Sequence, residues 1–300
     1  FVSGLATYAA QRAGVPLLLT IHRSTFEPDS TFSRNWLMRC AYQLYLRQNL
    51  RISIRQAVHV SANSQAAMKL MVGPQAQGSR FSILYSDIEP SQPATAGERA
   101  AFQIELGWAP DCPLIRNIGR FDKGKNQRGV VQVFQQVLNS HPAARLVLVG
   151  DGPLRPAILH LVEQSHLTSH VKWLGTRRDV PAIMSRADLL LFPSFTESLS
   201  AVVLEAGAAG LPIVASRIPG MDEAVRDGTT AFLHPVEDHA AMSASVCRLL
   251  ADRDLATELG RNGQRHVEEC FSLSAAGDRL VRLYRSLIPE NPVAGLRAAG

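Results

Sequence analysis

Cysteine is scarce in this chain. Cys40, Cys112, Cys247 and Cys270 are the whole complement in 300 residues, widely scattered and without a C-x-x-C pair. That distribution points to reduced thiols, so neither a disulfide nor a structural metal is expected. Long apolar runs are also missing: no stretch approaches the roughly 20 residues needed to span a bilayer. The opening Phe1-Val-Ser-Gly has neither a basic n-region nor an initiating Met. The chain therefore reads as soluble, cytoplasmic and a fragment of something longer. There is no internal repeat or low-complexity tract. With 46% hydrophobic and 19% charged residues, disorder is not the default.

Acidic residues are thin where the chain begins. The first 100 residues hold ten basic side chains and five acidic ones, while the remaining 200 carry 21 of each sign, so the net charge of +5 belongs wholly to the first third. Arg47, Arg51 and Arg55 recur every four residues, which on a helix makes one basic stripe. Two readings stand: a solvated helix face, or a landing surface for anionic lipid headgroups or a phosphorylated acceptor. No nucleic-acid partner is expected.

From residue 113 onward, short apolar runs alternate with helical patterns. Leu114 to Ile118, Leu146 to Val149, Val171 to Leu174, Leu189 to Phe192, Ile213 to Ala215 and Ala231 to Leu233 read as strands. Between them Gly129 to Leu138, Leu154 to Gln164, Val180 to Ser185 and Ser200 to Ala209 read as helices, bounded mostly by Gly, Pro or Ser. Such alternation specifies an α/β fold with a parallel sheet, which binds ligands at the carboxyl ends of its strands. The first third reads as half of a second such lobe: helix Leu5 to Ala13, strand Pro16 to Ile21, loop His22 to Thr31, the long basic helix, and a strand over Ala57 to Ser61. So few strands would leave Leu18, Ile21 and Val58 uncovered, so earlier strands are expected to be missing. Pro90 to Glu98 reads as the interlobe linker, and Leu273 to Leu287 as a last amphipathic helix. The expected domains are 1–108, a partial first lobe; 109–275, a second Rossmann-like lobe; and 276–300, a final helix and tail.

Two glutamates separated by seven residues carry the most chemistry. Glu197 falls in the turn after the strand ending at Phe192, and Glu205 inside a small-residue helix read from Ser198 to Ala209. Eight helical steps of about 1.5 Å would put the pair roughly 12 Å apart along the axis, with free amides near the first. A nucleotide diphosphate sugar has that shape. One carboxylate can hold ribose hydroxyls and the other a sugar hydroxyl, while Ser198, Ser200 and the amides receive phosphate oxygens. Glu205 sits amid Val202, Val203 and Leu204, where burial is costly unless donors arrive. The alternative is an internal salt bridge, with Arg217 the candidate partner.

This segment resembles the donor signature of the retaining, nucleotide-sugar-dependent glycosyltransferases of family four, built on the two-lobed GT-B fold. Gly119-Arg120-Phe-Asp-Lys-Gly-Lys125-Asn126-Gln127, Val149-Gly-Asp151-Gly152-Pro153, Leu174-Gly-Thr176-Arg177-Arg178-Asp179-Val180 and Pro219-Gly-Met-Asp-Glu223 stand in the order that family uses. The resemblance implies an enzyme that moves a sugar to an acceptor hydroxyl with retention, the acceptor being a glycan, a lipid-linked sugar or a small molecule. It assigns Arg120 and Lys125 to the diphosphate, with Lys123 as a register competitor. Glu197 goes to the donor sugar and Glu205 to the ribose. Gly119, Asp151 and Gly152 would admit backbone close to the donor, while the main chain at Thr176 and Arg177 reads the base. Ser198, Leu199 and Ser200 meet phosphate, although Ser198 stands where relatives usually have Gly.

His22 matches the Thr-x-His strand end that the family uses near acceptor and phosphate; a structural hydrogen bond is the other reading of that residue. No cofactor or metal is implied, since fixed cations neutralise the leaving group. The final helix is expected to cross back to the first lobe, and the basic stripe allows a peripheral place on the inner face of the cytoplasmic membrane. Two rivals remain, a nucleotide-sugar epimerase of the same fold and a noncatalytic nucleotide-sugar-binding module. With the first lobe incomplete, the chain is expected to bind a donor yet transfer poorly.

Overall fold

A computed structural model describes residue 12 and residues 19–22, 36–74, 76–88, 94–185 and 187–287. The chain divides into two compact units, Phe1–Ser86 and Asp87–Gly300. In the first, β1 (Leu19–His22), β2 (His59–Ala62) and β3 (Phe81–Ile83) form a parallel sheet in that order, with His22 opposite Ala62. Between the strands run α1 (Trp36–Gln56) and α2 (Gln65–Val72). The α2 helix starts because Ser64 Oγ accepts the Ala67 amide at 2.9 Å, and it lays Ala67 and Met68 on Val60 and Ala62. Alternation sends His59, Ser61 and Ser82 to the other face, where Ser82 Oγ meets both His59 Nε2 and Ser61 Oγ at 2.9 Å. Val58 is 53% exposed. The helix expected over Leu5 to Ala13, most of the loop after His22, Leu18 and the side chains of Ile21 and His22 lie outside the described residues.

The second unit opens with α3 (Ala96–Leu106). Residues up to Glu98 read as linker and those up to 108 as first lobe, whereas the structure groups this helix with the second unit. The reason is local and tertiary at once. Thr95 and Glu98 form a reciprocal capping box, and Phe102 and Leu106 are 2% and 1% exposed.

Then follow β4 (Leu114–Ile118), α4 (Gln127–Val137), β5 (Arg145–Val149), α5 (Arg155–Gln164), β6 (Val171–Trp173), α6 (Val180–Met184) and β7 (Leu189–Phe192). The unit continues with α7 (Ala201–Ala208), β8 (Ile213–Ser216), α8 (Pro219–Ala224), β9 (Phe232–His234), α9 (His239–Ala251), α10 (Arg253–Phe271) and α11 (Leu273–Leu287). The six strands are parallel in the order β6-β5-β4-β7-β8-β9. Strands β4, β7 and β8 are buried throughout because helices cover both faces. The α4 helix places Val130, Val131, Val133, Phe134 and Val137 in this core, all at most 1% exposed. Each such burial contributes about 1.5–3 kcal/mol before entropy is counted. Strand order runs outward in both directions from the β4–β7 pair, so that pair is the topological switch point, where a crevice opens at the carboxyl ends.

Candidate functional site

Loops after β4 and β7 meet at this switch point. Asn117 Nδ2 donates to Leu191 O at 2.9 Å, tying the two strands below the site. Above it, Asn126 adopts a left-handed conformation, φ 52°, and caps α4 by accepting the Gly129 amide at 3.1 Å. Its Nδ2 donates to Pro193 O at 2.9 Å. One asparagine thus starts a helix and fastens the β7 turn, a double role that the Lys125-Asn126 pair signals once β4 is placed next to β7. The Phe195 amide adds a bond to Gly124 O at 2.8 Å.

Lys125 leaves this loop toward β7. Its Nζ lies 2.5 Å from Glu197 Oε1 and 5.3 Å from the centre of the Phe192 ring. The side chains are 25% and 9% exposed, so the pair is shielded without being sealed. Lys123 is exposed, and the lysine that reaches the β7 turn is therefore Lys125. Arg120 keeps 54% of its side chain exposed, its Nε 3.8 Å from Asp122.

Glu197 is held from the far side as well. A Cβ at Gly220 would lie 2.3 Å from Glu197 O and 2.5 Å from Ser198 O, so only glycine lets α8 approach this backbone. The helix carrying Glu205 begins at Ala201, not Ser198, because Ser200 is extended at φ −82° and ψ 112°. The reckoning of eight helical steps between the glutamates therefore fails: Ser198, Leu199 and Ser200 form an irregular approach to the helix. Ser200 makes no side-chain cap there.

Glu205 is half-buried on α7. Among the described residues its carboxylate has no hydrogen-bond donor and no cation, and burial pushes its pKa above the ordinary value. Arg217 is not its partner. That guanidinium pairs with Asp227 and lies 3.9 Å from Asp222.

The β5 and β6 ends supply the remaining wall. Gly150, at φ 122°, would put a Cβ 2.0 Å from Gly119 O, so glycine is what allows the turns after β4 and β5 to touch. Phe121 N donates to Asp151 O at 2.9 Å, and Asp151 receives the Gly152 amide at 2.7 Å and Arg155 at 3.1 Å. Gly150 N reaches Gly175 O at 2.7 Å, and Trp173 Nε1 reaches Gly150 O at 2.7 Å. Thr176 is exposed. The Arg177 side chain is engaged with Asp179 and Glu105 at 2.6 Å each, leaving main chain as the open part of this loop.

Among the described residues no group of three His, Cys, Asp or Glu side chains could hold a metal. The chain does contain one Asp-x-Asp triplet, Asp252-Arg253-Asp254. Asp252 caps α10 by accepting the Leu255 amide, and Arg253 lines a cavity with Pro113 and Pro212 at the opposite end of the sheet.

Comparison with known proteins bears on the fold and the family. The solved structure of Anabaena Alr3699/HepE in complex with UDP superposes with a TM-score of 0.79 at 20% identity, covering 95% of this chain and 76% of that one. It supports the GT-B type of fold. N-acetyl-alpha-D-glucosaminyl L-malate synthase of Bacillus anthracis is 32% identical over 183 residues, 61% of this chain and 47% of that protein. Alpha-D-kanosaminyltransferase of Streptomyces kanamyceticus is 27% identical over 290 residues, 91% of this chain and 71% of that protein. The match thus spans about half the length of the first relative. Residues 98–266 match the family described as glycosyl transferases group 1, a segment holding every β4-to-β9 element above, and the chain belongs to that family.

Proposed function

We propose that this chain is the donor-binding part of an enzyme that transfers a sugar from a nucleotide diphosphate sugar to an acceptor hydroxyl with retention of configuration. The observation that carries the reading is Glu205, a half-buried carboxylate with no hydrogen-bond donor among the described residues, on the helix that follows the Lys125–Glu197 pair. Ribose hydroxyls would donate to it. Lys125 and Arg120 face the diphosphate, Glu197 a hydroxyl of the donor sugar, and the amides of Ser198 to Ser200 the phosphate oxygens. The turns at Gly119 and at Asp151–Gly152 admit the donor, and the main chain at Thr176 and Arg177 reads its base.

In the reaction the acceptor oxygen bonds to the anomeric carbon on the face from which the diphosphate departs. The carbon–phosphate-oxygen bond breaks, and the acceptor proton passes to the leaving diphosphate. Fixed cations favour this step because negative charge grows on the leaving group as the bond opens. No cofactor or metal is required in this scheme. His22, at the carboxyl end of β1 opposite Ala62, is assigned to acceptor orientation or proton handling. A carbohydrate or lipid-linked acceptor fits, and the transferase name of the Streptomyces relative favours transfer over epimerisation.

Membrane contact on the cytoplasmic side belongs to the same reading. No helix of the described residues is long and apolar enough to cross a membrane; the contact proposed is a peripheral one through the basic face of α1. Arg47, Arg51 and Arg55 are all exposed on α1. Leu37, Met38, Leu44 and Tyr45 are 46–60% exposed on the same helix, which suits an anionic interface. Vesicles of phosphatidylglycerol should sediment the chain and those of phosphatidylcholine should not. Equal binding to both, or to a triple Arg→Glu variant, would overturn the assignment.

The donor reading is tested by thermal shift with UDP, GDP and ADP sugars, followed by turnover with candidate acceptors. One nucleotide should raise the Tm. If none does, the proposed function is wrong; if binding occurs without turnover by any longer form, the binding-module reading replaces it.

A further inference from the structure

Arg177 is used in a way that its place in the donor motif does not suggest. Its Nε and Nη2 donate to Asp179 Oδ1 and Oδ2 at 2.7 and 2.6 Å. Nη1 and Nη2 donate to Glu105 Oε1 and Oε2 at 2.6 and 3.0 Å. A planar fork that grips two carboxylates bidentately has no edge left for a ligand. Glu105 belongs to α3 and Asp179 precedes α6, so the guanidinium joins two elements across the loop. Below it the buried Arg116 of β4 stacks on Phe102 of α3 at 4.8 Å, fixing α3 against the sheet. Asp179 is held below the ordinary carboxylate range, chiefly by its bonds to Arg177 and also by the field of Arg116.

The other end of the loop is fastened too, by Gly150 N to Gly175 O at 2.7 Å. Between these anchors the main-chain groups of Thr176, Arg177 and Arg178 enter no backbone hydrogen bond among the described residues. A short segment pinned at both ends, with its own donors and acceptors unused, is suited to reading the edge of a planar ring.

We propose that Arg177 is a positioning residue for base selection: by clamping Glu105 and Asp179 it holds the main chain of Thr176 to Arg178 in the geometry that recognises the nucleotide base. The inference rests on the donor site proposed above. Preorganisation is the physical gain, because a loop already ordered loses less freedom when the base arrives.

Glu105→Gln and Arg177→Lys provide the test, the first being an isosteric change on a side chain that is 40% exposed. Each variant is titrated calorimetrically with inorganic pyrophosphate and with whichever of UDP, GDP or ADP the wild type binds most tightly. Nucleotide affinity should fall about tenfold, the scale of one lost charge-assisted bond. Pyrophosphate affinity should stay unchanged, since Arg120 and Lys125 are untouched. If both affinities fall together, the clamp is merely structural and the proposal fails; it fails equally if neither moves. A wild type that binds neither ligand would instead refute the donor site itself.

Discussion

Removing the carboxylate of Glu205 separates binding from stability in opposite directions. In the free protein this group is half-buried, has no donor among the described residues and is pushed toward its neutral form. Its burial opposes folding, and Glu205→Gln should therefore leave the Tm of the free protein unchanged or raise it. Each ribose hydroxyl that donates to a carboxylate contributes about 1.5–3 kcal/mol. Losing one such bond to a neutral amide should weaken nucleotide binding by about 10- to 150-fold.

The pH dependence follows from the same shift. A raised pKa means that the folded state takes up a proton at higher pH than the unfolded chain does. The destabilisation is thus present at neutral pH and is relieved as pH falls through the raised value. Nucleotide affinity moves the other way, because protonation removes the charged acceptor. Affinity should decline at a higher pH than an ordinary glutamate would dictate, and Glu205→Gln should flatten that decline. Calorimetric titration across pH 4–8 with parallel thermal denaturation reads both. A folded variant with wild-type affinity, or a Tm lowered by several degrees, would show that Glu205 serves the fold instead.

Lys125→Ala should cost on the order of 1.5–3 kcal/mol in transition-state stabilisation while Lys123→Ala costs little, as measured by kcat/KM; the reverse ranking would move the diphosphate contact to Lys123. Gly220→Ala forces a methyl within 2.3 Å of Glu197 O, so donor affinity should drop with the far-UV spectrum unchanged, and retained affinity would show that the β7 turn can yield. Gly150→Ala meets both a positive φ and the Gly119 carbonyl, and should destabilise by more than the roughly 1–3 kcal/mol of backbone strain alone, read from urea midpoints. The stability that Arg177 lends to Asp179 is present above the ordinary carboxylate value and is lost as pH falls through the depressed one. Arg177→Gln should therefore narrow the difference between neutral and acid unfolding midpoints, and an unaltered difference would discount the pair.

Periodicity located the second unit well because its strands are short apolar runs closed by glycine or proline. Leu114–Ile118, Leu189–Phe192 and the final helix Leu273–Leu287 fall where the pattern puts them. The α3 helix escaped because its Ala-Gly-Glu-Arg-Ala start follows a Pro- and Ser-rich stretch, and only the Thr95–Glu98 capping box betrays it. The extended backbone at Ser200 was equally hidden, since a hydroxyl before an apolar run looks like any helix start. Motif resemblance singles out Lys125, Glu197 and Glu205 as candidates, and the structure pairs the first two. Resemblance could not show that Arg177 grips Glu105, because that contact joins residues 72 apart in the chain and is set by how α3 docks.

The bond from Asn117 to Leu191 spans 74 residues, and that from Asn126 to Pro193 spans 67. Closing loops of that length is slow, since chain entropy is lost before any contact repays it. The β4 and β7 turns are therefore expected to come together late, after the more local β4–β5 and β5–β6 pairings. Nucleotide binding is then a reporter of completed folding: a chain collapsed but misordered at the switch point would show native-like helix content and no affinity. During refolding, recovery of binding should lag recovery of the far-UV signal.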